Sequence, residues 1–87
     1  MTSFTAKVID PVGLHARPAS VLTKEASKFA SEIKIKSGDK EGNLKSIMNV
    51  MALAVKSGAD VTIEATGDDE KEAIASIEQA MKDNSII

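Results

Sequence analysis

Gly13-Leu14-His15-Ala16-Arg17-Pro18-Ala19-Ser20 marks the point where an extended segment gives way to a helix. Before this octapeptide, Phe4, Ala6 and Val8 alternate with polar residues, which is the two-residue period of a strand with one buried face. From residue 16 to 29 the apolar residues recur instead at helical spacing. The sequence therefore predicts a first strand, a loop and a first helix.

In the rest of the chain, segments with the spacing of a strand alternate with segments that have the spacing of a helix. Strands are predicted around Ile33 and Ile35, over residues 40–43, and around Val61, Ile63 and Ala65. Helices are predicted over residues 46–56, with Gly58 as the C-terminal cap, and after residues 67–69. The acidic residues 68–70 are interpreted as capping and solvated groups at a helix start rather than as a cation site.

The order strand, helix, strand, strand, helix, strand, helix (βαββαβα) predicts an α+β fold. The expected architecture is a two-layer open-faced sandwich, in which three helices cover one face of a four-stranded sheet. No linker or repeat divides the sequence, so we expect one domain over residues 1–87.

Composition excludes several classes of function. The chain has no cysteine and one histidine, which rules out disulfides, thiol chemistry and a structural zinc site. Eleven basic and thirteen acidic residues give a net charge of -2, and the only aromatic residues are two phenylalanines, so we expect no direct binding of nucleic acid. No apolar run is long enough to cross a bilayer, and the residues from Met1 to Ser3 do not show the pattern of a secretory signal. We therefore expect a cytoplasmic protein without membrane insertion, metal or cofactor.

His15 lies where the first helix is predicted to begin. The first N–H groups of a helix have no intrahelical acceptor and carry partial positive charge, so they favour an anion. A phosphoryl group on a ring nitrogen of His15 would meet the N–H groups of Ala16 and Arg17, and the Arg17 guanidinium would bind its oxygens. Two interpretations stay open here: an ordinary surface histidine, or a nucleophile that accepts and passes on a phosphoryl group.

Two motifs resemble those of the HPr family of the bacterial phosphoenolpyruvate-dependent sugar phosphotransferase system. Gly13-Leu14-His15-Ala16-Arg17-Pro18-Ala19 resembles the family's active-site signature. Asn43-Leu44-Lys45-Ser46-Ile47-Met48-Asn49-Val50-Met51 resembles its second, regulatory signature, with Met48 and Met51 as in the Gram-positive branch. The resemblance covers essentially the whole chain and implies the HPr fold, with an antiparallel sheet in strand order 1-4-2-3. At Asn49 and Ala54 the chain departs from Gram-positive members, which often carry glycine there.

The resemblance also implies a function, that of a monomeric phosphocarrier with no turnover of its own. His15 is then phosphorylated at Nδ1 by enzyme I, with phosphate from phosphoenolpyruvate, and donates the group to the IIA domains of sugar permeases. Arg17 is the phosphate-stabilising arginine. The alternative is a regulatory interaction module of the same fold that carries no phosphate; such relatives lack the active-site histidine, whereas this chain has it.

Ser46 is predicted to be the N-cap of the second helix, where its hydroxyl would accept a hydrogen bond from a free N–H group. A phosphate there would add about -1.5 to -2 charge and repel a partner with an acidic surface. By resemblance to the Gram-positive branch, Ser46 is the target of an HPr kinase/phosphorylase, and the phosphorylated protein acts with a catabolite control transcription factor.

The second helix is apolar on nearly all sides, which is more than one buried face requires. Methionines at helical spacing usually fill a core. Here we expect instead that Ile47, Met48 and Met51 form an exposed patch beside His15 that docks protein partners. Its predicted rim consists of Ser20, Lys24 and Lys45, the lysines matching acidic partners.

Overall fold

The computed structural model describes residues 1–87. Seven elements follow in the predicted order. They are β1 (Thr2–Lys7), α1 (Ala16–Ala26), β2 (Glu32–Ser37), β3 (Lys40–Asn43), α2 (Ile47–Ala52), β4 (Asp60–Thr66) and α3 (Glu70–Asp83). The strands form one antiparallel sheet in the order β1-β4-β2-β3, so the predicted sandwich and its strand order are confirmed.

One face of the sheet is apolar and the other is polar. Ile63 of the inner strand β4 pairs with Phe4 of β1 on one side and with Ile35 of β2 on the other. On the opposite face, the hydroxyl groups of Thr5 and Thr62 share a hydrogen bond of 2.8 Å. Since only the apolar face must be removed from water, one layer of helices completes the fold.

The helices supply the other half of the core. Leu22 of α1, Val50 of α2 and Ile77 of α3 are fully buried, and they belong to the same apolar cluster as Ile35 and Ile63. Helix α1 contacts both other helices, while α3 lies against β1 and β4. None of the three helices has the length and apolar character needed to cross a membrane.

Both of the first two helices are shorter than predicted. Helix α1 ends at Ala26 rather than at residue 29, because the chain continues in tighter turns in which N–H groups bond three residues back. Helix α2 ends at Ala52 rather than at residue 56, because Ala54 adopts a left-handed backbone with φ of 51°. The prediction that Gly58 caps α2 was therefore wrong, because the left-handed residue that follows the helix is Ala54.

The acidic residues at the start of α3 bind other parts of the fold. The carboxylate of Asp69 accepts hydrogen bonds from the N–H groups of Ala30, at 2.9 Å, and Ser31, at 3.0 Å, and from the Ser31 hydroxyl. Glu70 accepts one from the Thr2 hydroxyl and pairs with the N-terminal ammonium group at 3.0 Å. Asp69 lies at the N-cap of α3, as the interpretation of these acids as capping groups requires, but both carboxylates are also bound by groups that lie far away in the sequence.

Candidate functional site

His15 lies at the N-cap of α1, as predicted. Its backbone is extended, with φ of -84° and ψ of -168°, and its carbonyl accepts a helical hydrogen bond from the N–H of Ala19 at 3.0 Å. The imidazole makes no capping hydrogen bond, and 38% of the side chain is exposed. The helix start therefore fixes the backbone of His15 and leaves its ring accessible to a partner.

Two N–H groups at this helix start have no acceptor within the protein. They belong to Ala16 and Arg17, and the third residue of the helix, Pro18, has no N–H at all. The Arg17 side chain is exposed, and no carboxylate lies within 4.0 Å of its guanidinium nitrogens. Free donors and an unpaired cation thus share the turn that follows His15, an arrangement that suits an anion.

The segment before His15 packs against the segment after α2. The N–H of Leu14 donates to the carbonyl of Val55 at 3.0 Å. Gly13 has φ of 84°, and a Cβ at this position would lie 2.3 Å from the same carbonyl oxygen. Glycine is therefore required at Gly13 by the close Val55 backbone, and the two segments hold each other in place.

Asp10 is a site residue that the sequence analysis missed. Its Oδ1 atom lies 3.5 Å from Nε2 of His15, and only 13% of its side chain is exposed. The same oxygen accepts a hydrogen bond from the N–H of Val12 at 3.0 Å, and the Asp10 carbonyl accepts one from Gly13 at 2.9 Å. An aspartate two residues before its N–H donor is a turn signal, and it could have been recognised in the predicted loop.

Ser46 is the N-cap of α2, as predicted, and its hydroxyl oxygen accepts a hydrogen bond from the N–H of Asn49 at 3.3 Å. The side chain of Asn49 adds two contacts. Its amide nitrogen donates to the Ser46 hydroxyl at 3.1 Å, and its Oδ1 accepts from the N–H of Asn43 at 3.2 Å. Asn49 therefore links the end of β3 to the cap of α2.

The apolar residues of α2 divide between the core and the surface. Val50 is fully buried, whereas Ile47 is 40% exposed, Met48 81% and Met51 44%. We call Ile47, Met48 and Met51 the α2 patch. Because α2 contacts α1, and its C-terminal segment contacts the one before His15, the patch and the His15 loop are carried by neighbouring elements.

The three predicted rim residues have different surroundings. Ser20 and Lys24 are exposed on α1. Lys45 is half-buried, and its ammonium group donates to the carbonyl of Phe29 at 2.7 Å. Lys45 thus already has a structural partner beyond the end of α1, and its part in docking stays a prediction, as do those of Ser20 and Lys24.

No group of three or more histidine, aspartate or glutamate side chains is arranged to hold a metal ion. The groups that meet at the site are an imidazole, a guanidinium group, a carboxylate and free backbone donors.

Fold and site together define a class of protein: a small α+β sandwich that presents one histidine at a helix start suited to phosphate. The family model for the phosphorylation site of the HPr component of the phosphotransferase system matches residues 2–83. The chain therefore belongs to the HPr family of phosphocarriers, and the resemblance found in the sequence is confirmed.

Individual relatives agree with this assignment. The phosphocarrier protein HPr of Mycoplasma capricolum is 59% identical over 87 residues, which cover 100% of this chain and 98% of that protein. The HPr protein of Mycoplasma genitalium is 49% identical over 88 residues, with 100% of both chains covered. A solved structure of the histidine-containing phosphocarrier protein from Mycoplasma matches with a TM-score of 0.97 and 58% identity, covering 99% of this chain and 98% of that one.

Proposed function

We propose that this chain is a cytoplasmic phosphocarrier that accepts a phosphoryl group on His15 from phosphorylated enzyme I and donates it to the IIA domains of sugar permeases. The observation that carries the proposal is the accessible His15 ring at a helix start whose two free N–H groups belong to Ala16 and Arg17. Membership of the HPr family supports the same partners.

In the proposed step, the lone pair of a neutral His15 ring nitrogen attacks the phosphorus atom of the donor. The new N–P bond forms as the bond between phosphorus and the donor atom breaks, and the donor atom keeps that electron pair. The negative charge is spread over the three oxygens of the phosphoryl group. The free N–H groups of Ala16 and Arg17 and the Arg17 guanidinium stabilise this charge. In the transfer to a IIA domain, phosphorylated His15 is the donor: the N–P bond breaks as the acceptor group of the IIA domain attacks the phosphorus atom.

The α2 patch and its rim are proposed as the docking surface for these partners. An exposed apolar cluster of this kind commonly marks a protein interface. The patch is carried by an element that contacts α1, so a partner seated on it would reach the His15 loop. Exposed Ser20 and Lys24 on α1 extend this surface with polar and basic groups that suit an acidic partner.

Regulation at Ser46 is the second part of the proposal. Ser46 is half-buried at the start of the helix that bears the patch, next to exposed Ile47. A phosphate on its hydroxyl would add negative charge to the proposed docking surface. We propose an HPr kinase/phosphorylase as the enzyme that adds it and a catabolite control transcription factor as the partner that binds the phosphorylated form.

The alternative function is a regulatory interaction module that binds partners without carrying phosphate. The α2 patch would serve such a module equally well. The free N–H groups beside His15 and the unpaired Arg17 would then have no purpose, which favours the phosphocarrier.

The test is sugar phosphorylation in a reconstituted system that contains enzyme I, phosphoenolpyruvate, a IIA domain with its permease, and this chain. We expect sugar phosphate to form only when the chain is present, and His15→Ala to abolish it. Arg17→Gln should lower the rate, because it removes a charged phosphate ligand, whereas Lys71→Gln, an exposed site on α3, should not. Binding of enzyme I without any phosphorylated sugar would support the module instead.

A further inference from the structure

Asp10 contributes the only carboxylate within 4.0 Å of the His15 ring nitrogens. Its Oδ1 atom lies 3.5 Å from Nε2. The position of Asp10 is fixed by a turn, because Oδ1 accepts a hydrogen bond from the N–H of Val12 and the Asp10 carbonyl accepts one from the N–H of Gly13. The carboxylate is nearly buried, so it is not a flexible surface charge that meets the ring by chance.

The two ring nitrogens of a neutral imidazole differ, because one carries the proton and the other the nucleophilic lone pair. The group that faces one nitrogen decides which is which. A carboxylate accepts hydrogen bonds and attracts positive charge, so Asp10 favours the proton on Nε2. The lone pair then lies on Nδ1. Catalytic hydrogen bonds are often long in the free protein and shorten in the reacting complex, which fits a separation of 3.5 Å.

We propose that Asp10 is a positioning residue that holds the proton of neutral His15 on Nε2 and so directs the phosphoryl group to Nδ1. This proposal rests on the phosphocarrier function proposed above. When the N–P bond forms at Nδ1, the Nε2 proton stays in place and the ring becomes positively charged, facing the Asp10 carboxylate. When the group leaves, the electron pair of the N–P bond returns to Nδ1. Carriage thus requires no proton exchange at Nε2.

The variants Asp10→Asn and Asp10→Ala distinguish the effect of the Asp10 charge from the effect of the turn that Asp10 stabilises. Asparagine keeps an oxygen that accepts the N–H of Val12, whereas alanine loses both the charge and the acceptor. Asp39→Asn is the matched control, because Asp39 is exposed in the turn between β2 and β3 and makes neither a hydrogen bond nor an ion pair. These three variants and the native protein are all full-length chains.

Two measurements are made on each protein. Long-range proton–nitrogen NMR spectra of the neutral His15 ring give the fraction with the proton on Nε2. Steady-state phosphorylation by enzyme I and phosphoenolpyruvate, with the chain as varied substrate, gives kcat and KM. We expect both Asp10 variants to have a smaller Nε2–H fraction and a kcat lower by about tenfold, the lower end of the losses seen when the partner that orients a metal-bound histidine is removed. KM should be unchanged in both Asp10 variants, and the Asp39→Asn control should match the native protein in all three quantities.

An unchanged tautomer ratio and kcat in Asp10→Asn would overturn the proposal, as would a change confined to KM, which would assign Asp10 to docking. A slow Asp10→Ala with a normal Asp10→Asn would also overturn it, because the turn and not the charge would then be responsible. Failure of the phosphocarrier function itself is distinguishable, since the native chain would then take up no phosphoryl group at all.

Discussion

At the scale of single residues, Ser46 combines a structural role with a proposed regulatory one. Its hydroxyl caps α2 by accepting the N–H of Asn49. Aspartate caps a helix about as well as serine, so Ser46→Asp should keep α2 intact while adding a charge at the proposed docking surface. We expect kcat/KM for phosphorylation of His15 by enzyme I to fall by about tenfold, and the loss to shrink at high salt.

Ser46→Asn is the control for this change, because asparagine also caps a helix but adds no charge. Its rate should match that of the native chain. Equal rates for the aspartate and asparagine variants would remove the electrostatic account of regulation at Ser46.

At the scale of elements, α2 is a short helix with one buried apolar side and one exposed apolar side. Met48 is its most exposed large residue, at 81%. We expect Met48→Asp to leave stability almost unchanged and to weaken binding to enzyme I by at least about tenfold, because a charge replaces apolar contact area. Isothermal titration measures the binding. As a control, Ala75→Asp adds the same charge to an exposed site on α3, and this variant should bind enzyme I normally. Normal binding by Met48→Asp would exclude the α2 patch as the docking surface.

The end of α2 carries backbone strain that can be removed. Ala54 has φ of 51°, a left-handed conformation that disfavours a side chain. Ala54→Gly should therefore raise the free energy of unfolding by about 0.5–1 kcal/mol, after allowance for the greater entropy of glycine in the unfolded chain. Urea denaturation measures the change.

Ala52→Gly provides the opposite control, because Ala52 is exposed and lies in the helix itself. It should lower the free energy of unfolding by about 0.5–1 kcal/mol. Destabilisation by both glycines would contradict the strain assigned to Ala54.

At the scale of the whole molecule, three carboxylates join elements that are distant in the sequence, and all three have a lowered pKa. The hydrogen bond from Ser76 of α3 lowers the pKa of Glu25 in α1. The hydrogen bond from the Ser31 hydroxyl lowers the pKa of Asp69, and the Thr2 hydroxyl lowers that of Glu70 to about 2. Each carboxylate therefore stabilises the fold in its ionised form.

The direction of the pH dependence follows from these lowered pKa values. The stabilisation is fully present above the unfolded pKa values, about 4, and is lost as pH falls through the folded ones. We expect the free energy of unfolding to be constant from about pH 7 to 5 and to fall steadily towards pH 2. Urea denaturation as a function of pH tests this.

Asp69→Asn should lower stability at neutral pH and flatten the acid dependence, because it removes one of the three titrating groups. Asp68→Asn, an exposed neighbour without hydrogen bonds, should leave both unchanged. A native acid profile in Asp69→Asn would show that this carboxylate does not couple α3 to the rest of the fold.

Local patterns were sufficient for most of the architecture. The alternation in β1 and β4, the cap at Ser46 and the helix start at His15 are encoded within a few residues, and all were predicted. The ends of the helices were not, because α2 is too apolar to show where its buried side stops and because Ala54 takes a conformation typical of glycine.

Contacts that depend on how the loops fold back were beyond local patterns. Asp10 meets His15 only because the loop before α1 folds back, and the Val55 carbonyl meets Leu14 only because the segment after α2 returns to that loop. Sequence spacing could predict a phosphate site at Ala16 and Arg17 and a turn at Asp10, but not that the Asp10 carboxylate lies 3.5 Å from Nε2 of His15.

The most direct test of the phosphocarrier account is the intact mass of the protein after incubation with enzyme I and phosphoenolpyruvate. We expect the mass of one phosphoryl group to be gained, to be lost after brief acid treatment as a phosphohistidine requires, and to be absent from His15→Ala. No gain with an enzyme I that phosphorylates another HPr protein, or a gain that survives in His15→Ala, would contradict the account.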